Sequence, residues 1–313
     1  MRPLDRLYAA GFVVAWSGGF IGIELGTRHG SALSLLTWRF LVLAVPAALW
    51  LAWRRPRCDR HALGAHLLIS ALAQVGYLSG VAFAAQLGVA PGIIALIAGL
   101  QPIVMAVTAS LLLEETVRRV QVLGLGIGFA GVAIVVTADR LGSDAPLWAF
   151  LLPVGAVLSL VSATVVERRV RPRGLGPVDA LAVQFLFAAF AFTAFAAFSG
   201  ELAPSPAAGF WAGVMWTVVL AGIGGYGLYW VVVRRSGATT ASSLLYLTPP
   251  TTLLWAWLMF GDRLSAQAWL GLAVTAVGVL LALNRGPRRA APAAPVRAAQ
   301  QETGPPLRRG PVR

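Results

Sequence analysis

Apolar residues in this chain gather into runs of about 20 rather than lining one face of each segment, and a run of that length spans the ~30 Å core of a bilayer. Each run is apolar all round, which fits lipid or protein on every side. Within hydrocarbon the backbone must satisfy its own polar groups, so each run is expected to be a helix. Composition agrees: over 313 residues, 58% are hydrophobic and 12% charged, where a soluble domain carries roughly 25% charge. A soluble multidomain protein is excluded, and an all-α integral membrane protein is expected.

Ten spans follow from the apolar runs and the polar breaks between them. In the first half they are Leu7–Leu25, Ala32–Trp53, Gly64–Leu87, Gly92–Leu113 and Val120–Ala138. In the second they are Leu147–Val166, Val178–Ser199, Gly209–Val233, Thr239–Phe260 and Ala266–Leu283. Gly222, Gly224, Gly225 and Gly227 crowd the centre of the eighth. The basic residues, all arginine, fall on alternate loops. Arg2 and Arg6, Arg54 to Arg60, Arg118 and Arg119, Arg168 to Arg173, Arg234 and Arg235, and seven arginines from Arg285 to Arg313 share one side. Only Arg28, Arg140 and Arg263 occupy the opposite loops, and Arg39 lies inside a span. Positive loops stay cytoplasmic, so a multi-pass inner (plasma) membrane protein with both termini inside is expected. Arg2 and Arg6 ahead of an apolar run imitate a signal peptide, but no small-residue cleavage site follows, so an uncleaved first helix is the reading. Residues 285–313, rich in Arg, Pro and Ala, cannot bury a core and are expected to form a disordered basic cytoplasmic tail.

The net charge of +13 suggests a nucleic-acid partner, yet the arginines follow membrane topology instead, so none is expected. Membrane lipid is an expected partner, and the tail reads as a solvated segment or, alternatively, as a patch for anionic cytoplasmic lipid. Cys58 stands alone, and His29, His61 and His66 lie in loops or near span ends without metal-site spacing, so neither metal nor cofactor is expected. Whether the chain is a monomer or a homodimer is left open.

An internal repeat carries more information. Shifted by 147 positions, Leu100 and Pro102 meet Leu247 and Pro249, Gly124 and Gly131 meet Gly271 and Gly278, and Glu115 meets Asp262. An offset near 145 relates Arg39–Phe40 to Gln184–Phe185. The organisation expected is a first five-helix repeat over 7–138 and a second over 147–284. Repeats with an odd number of spans must sit oppositely in the bilayer. Such inverted halves can close at either face with nearly equal energy, the plan of secondary transporters with a substrate site near the midplane.

These residues also resemble a known family. Trp16-Ser-Gly-Gly-Phe20 is similar to the opening motif of EamA-type proteins of the drug/metabolite transporter superfamily, although Ser17 stands where that motif has glycine. Arg39-Phe40, then Leu100-Gln-Pro102 followed by Glu115, Gly124 and Gly131, fit the same pattern. The second half repeats it as Leu247-Thr-Pro249, Asp262, Gly271 and Gly278, with aspartate for the usual glutamate. The resemblance covers about residues 7–284 and implies ten helices, two EamA domains and export or exchange of small metabolites, often amino acids.

Candidate site residues come from polar and aromatic groups inside spans. Arg39 is either an anchor for a substrate carboxylate or phosphate, or a structural tie to an acid or helix-end carbonyls, or an arginine that snorkels toward the periphery. Pro102 and Pro249 interrupt the backbone ladder within the fourth and ninth spans, and Gln101 and Thr248 precede them with polar atoms. Trp16, Gln74, Tyr77, Gln184, Tyr226 and Tyr246 complete the candidate lining. Glu24 and Glu115 are the candidate proton carriers, with helix capping the competing role for Glu115. The small-residue faces Gly124/Gly128/Gly131 and Gly271/Thr275/Gly278 read as close helix contacts.

The expected function is secondary transport, by export, of a small-molecule substrate such as an amino acid. An intramembrane enzyme or a channel or sensor is the alternative. No HExxH or Gly-x-Ser-x-Gly motif favours an enzyme, and no Walker A sequence favours direct ATP drive.

Overall fold

The computed structural model describes residues 3–112, 119–139, 145–236, 241, 244–261 and 265–283. Glu115, Asp262 and the basic tail lie outside them. Among the described residues every regular element is helical. In chain order the α-helices are α1 (Pro3–Thr27), α2 (Ala32–Arg54), α3 (Arg60–Ser70), α4 (Tyr77–Gln86), α5 (Pro91–Ala98), α6 (Gln101–Leu112) and α7 (Arg119–Asp139). The second half adds α8 (Leu151–Val170), α9 (Pro177–Ser199), α10 (Ala208–Trp216), α11 (Tyr226–Ser236), α12 (Thr248–Phe260) and α13 (Ala266–Leu283).

Six helical stretches are long and apolar enough to cross a membrane: Leu4–Thr27, Ala32–Arg54, Arg60–Gln86, Leu147–Val170, Pro177–Ser199 and Ala208–Ser236. Pro91–Met105, Val122–Val135 and Trp269–Leu281 are shorter apolar helices. The protein is thus a multi-pass, all-helical membrane protein. Polar side chains define where the spans begin. The Ser31 hydroxyl accepts the Ser34 N–H at 3.1 Å, and the Asp59 carboxylate accepts the Ala62 N–H at 2.6 Å, capping α2 and α3. Arg55 and Arg171 end α2 and α8 in left-handed conformations (φ 45° and 47°), placing positive charge at the negative helix ends.

Two features depart from regular spans. The third and eighth each contain a π-helical segment, Ala71–Gly76 between α3 and α4, and Thr217–Gly225 between α10 and α11. Their starts are 146 residues apart, near the repeat offset. The glycine crowding of the eighth span therefore marks a widened helix. The fourth span is not the single helix expected over Gly92–Leu113: it breaks at Gly99–Leu100, and α6 starts afresh at Gln101. In the ninth, a 3₁₀ turn at Leu245–Leu247 leads into α12 at Thr248. Pro102 and Pro249 consequently lie in the first turn of a helix rather than mid-helix. Proline is favoured there because the first turn has no partner for its missing N–H.

Helices at equivalent places in the two halves meet antiparallel. In α7 and α13 a Cβ on Gly131 would lie 2.7 Å from the Gly271 carbonyl oxygen, and one on Gly278 would lie 2.8 Å from Gly128 Cα, so ascending positions on α7 face descending positions on α13. The small faces on both helices are what admit this backbone contact. Between α2 and α9 the Thr37 hydroxyl donates to the Phe192 carbonyl at 3.2 Å, and the Trp50 indole donates to Asp179 at 2.8 Å. Between α5 and α12, Gly92 packs on Leu253 and Gly99 on Pro249.

Candidate functional site

A cleft opens beside α1, between α2, α4 and the second π segment. Its larger part holds about 520 Å³ of empty space and is lined by Trp16, Gly19, Phe20 and Ile23 of α1 and Arg39 of α2. Ala73 and Gln74 of the first π segment, Tyr77, Leu78 and Val81 of α4, Ala221 of the second π segment and Tyr226 of α11 complete it. A second part of about 420 Å³ shares Trp16, Phe20 and Tyr77 and continues to Gln101, Pro102, Tyr246 and Thr248.

Glycine brings the second half this close. A Cβ on Gly19 would stand 3.2 Å from Ala221 Cβ, and one on Gly22 would stand 2.8 Å from Thr217 Cγ2, so α1 lies directly against the second π segment. The Trp216 indole donates to the Gly18 carbonyl at 3.0 Å and fixes that contact. The aromatic wall is then held edge to face, with Trp16 and Tyr226 ring centres 5.6 Å apart and Phe185 6.2 Å from Tyr226. Gln74 donates to the Tyr226 hydroxyl at 3.4 Å, joining the first half to the second across the cleft.

Arg39 is 4% exposed and faces this space. Among the described residues no acidic side chain pairs with it, and its Nε is buried without a hydrogen-bond partner. Its guanidinium carbon lies 5.4 Å from the Phe40 ring centre. The helix-end ties sit elsewhere: Arg28 pairs with Glu24 at 2.7 Å, Arg235 with Asp5 at 2.7 Å, and Arg54 approaches Asp179 at 3.8 Å.

Of the sequence candidates, the cleft brings together Trp16, Arg39, Gln74, Tyr77, Gln101, Pro102, Tyr226, Tyr246 and Thr248. Gln184 does not line it; its carbonyl accepts the Ser70 hydroxyl at 2.7 Å. Pro249 is buried against Gly99 behind the wall. Glu24 does not line it either and pairs with Arg28, whose guanidinium lies 4.1 Å over the Phe260 ring. The sequence candidates omitted Phe20, Gly19, Ala73 and Ala221. Phe20 closes the Trp16-to-Phe20 motif and was available from it, whereas the small residues carry no chemical signal in a chain this rich in alanine and glycine.

Comparison with known proteins places the whole helical body. The model of the EamA-like transporter family matches residues 6–137 and again 147–284. A probable amino-acid metabolite efflux pump of Escherichia coli is 22% identical over 290 residues, which cover 90% of this chain and 95% of that protein. An uncharacterized transporter of Synechocystis is 26% identical over 205 residues, and the match spans 59% of this chain and 61% of that relative's length. A solved crystal structure superposes with a TM-score of 0.60 at 18% identity, covering 90% of this chain and 98% of its own, a likeness of fold.

Proposed function

The chain belongs to the EamA-like transporter family, and on that premise we propose that it exports a small amino-acid-related metabolite by alternating access between two inverted five-helix halves. One observation carries the reading. The cleft is walled by corresponding segments of both halves: Gln74 in the first π segment and Ala221 in the second, and Gln101 and Thr248 at the two restarted helices. Antiparallel contact between equivalent helices supports the inverted arrangement. A rocking of one half on the other would then open the cleft to either side in turn, with the π segments and helix breaks as the places where backbone geometry changes most cheaply. Export is taken from the name of the Escherichia coli relative, and ten spans from the repeat.

Purified protein in liposomes tests this. Flux of labelled amino acids and their derivatives should be saturable, and unlabelled substrate on the far side should accelerate it. Non-saturable flux without such acceleration would point to a channel, and no flux across amino-acid derivatives, nucleosides and sugars would end the transport mechanism proposed.

Orientation is tested separately. Reporter fusions after Ala62, Arg119, Arg173, Arg235 and Arg289 should report cytoplasm, and those near His29, Asp144 and Glu201 the outside, as the arginine distribution requires. A cytoplasmic signal at Asp144 breaks the inverted arrangement, because that loop joins the halves.

A further inference from the structure

We propose that the ligand of this cleft is a small organic monoanion, a carboxylate with a flat or apolar body and no compensating cation, rather than a zwitterionic amino acid. The inference takes from the transport reading only the identity of the site. It rests on the charge of the walls. Arg39 is buried and faces the cleft, and among the described residues no acid pairs with it and no aspartate or glutamate lines either part of the cleft. Glu24, next to the lining residue Ile23, is engaged with Arg28 at 2.7 Å.

A zwitterion needs two opposite charges recognised a few ångströms apart. Here its carboxylate would meet Arg39, but its ammonium would be desolvated beside a like charge with no carboxylate to receive it. The aromatic rings offer an ammonium some attraction, but Trp16 and Tyr226 are committed edge-on to each other at 5.6 Å and the Tyr226 hydroxyl to Gln74. The same rings suit a flat apolar body well. A phosphate monoester carries about −1.5 to −2 charges at neutral pH. Arg39, the one cation of the lining among the described residues, matches a carboxylate better. Arginine's planar fork is shaped for that group. The substrates indicated are amino-acid derivatives whose amine is masked or absent, such as N-acyl amino acids, 2-oxo acids or arylacetic acids.

A matched series separates charge from shape: N-acetylphenylalanine (anion), phenylalanine (zwitterion) and phenylalanine amide (cation) share one aromatic body. Equilibrium binding to the purified full-length protein should favour the anion over both others by about tenfold to a hundredfold, the range of one charge-assisted hydrogen-bonded contact. Arg39→Gln should level the series, and Arg39→Lys should keep its order at lower affinity. If the wild-type protein binds phenylalanine as tightly as its N-acetyl derivative, or binds none of the three, the proposal falls. It also falls if a monodisperse Arg39→Gln protein retains the preference. Saturable phenylalanine flux without anion preference would remove this inference and leave the transport reading standing. Anion-selective binding without flux of any ligand would do the reverse.

Discussion

Gly278→Leu is expected to cost the protein most of its folded, detergent-extractable form. A Cβ at Gly278 would come within 2.6 Å of the Gly124 carbonyl oxygen and 2.8 Å of Gly128 Cα, and both obstacles are backbone. A flexible side chain could swing aside; a helix backbone cannot. Relief requires α7 and α13 to separate along their length, which also lifts the Gly131–Gly271 contact about two turns away along α13. Overpacking a fitted interior costs about 1–3 kcal/mol and occasionally more. Backbone-to-backbone contact belongs at the upper end of that range. The control is Gly126→Leu on the same α7, where an added Cβ would meet no described atom within 4 Å. It should leave the melting temperature unchanged or slightly higher, since glycine is a poor helix former in any setting. Size-exclusion profiles and thermal melts of the two variants decide the matter. Equal behaviour of both would mean that the close approach of these helices contributes nothing to stability.

That contact was legible in the sequence because glycine at helical spacing has one common use in a membrane, and the repeat showed it twice. Less of the cleft was legible: Arg39 and Gln74 are the kinds of residue a lipid-facing surface excludes, whereas Trp16 and Tyr226 suit interface anchoring or core packing equally well on paper. What the sequence concealed is where the helices stop being regular. Nothing in Ala71–Gly76 announces a π segment, because its residues suit an α-helix equally well; tertiary contact selects the wider turn, and the Ser159 hydroxyl, 2.7 Å from the Leu72 carbonyl, is part of that contact. Prolines signalled an interruption but not its place, since a proline in the first turn of a new helix and one in mid-helix look alike on paper. Gln184 was a natural candidate as the counterpart of Arg39. Sequence offsets that differ between 145 and 147, however, mean that equivalent positions need not face the same space. Glu115 lies outside the described residues, so its capping and proton-carrying readings stay as the sequence left them.

Arg39→Met should raise the stability of the protein while removing its affinity for anions, and the sign of the first effect decides what Arg39 is for. A buried guanidinium that ties the fold together has a partner, and removing one side of such a pair typically costs about 3–5 kcal/mol. No such partner is present among the described residues, and Nε is buried with its hydrogen-bonding capacity unused. The balance therefore reverses. An arginine at mid-span costs about 2.5–3.5 kcal/mol to insert into a membrane. Methionine has a similar apolar stem and no charge. Part of the insertion cost is recovered by the water and polar groups of the cleft, so a gain of about 1–2 kcal/mol is expected. For a protein of this size that corresponds to a melting temperature roughly 2–8 °C higher. Gln184→Ala is the internal comparison, because the equivalent place in the second half lies outside the cleft and should change neither quantity much. Melts of the three proteins in one detergent, each with and without N-acetylphenylalanine, supply both readouts. The ligand should raise the wild-type melting temperature and leave that of Arg39→Met where it was. A fall on removing Arg39, with ligand protection intact, would make the residue a structural tie after all. A rise without ligand protection is the signature of a charge kept at the expense of stability, because the ligand supplies the counter-charge that Arg39 does not find among the described residues.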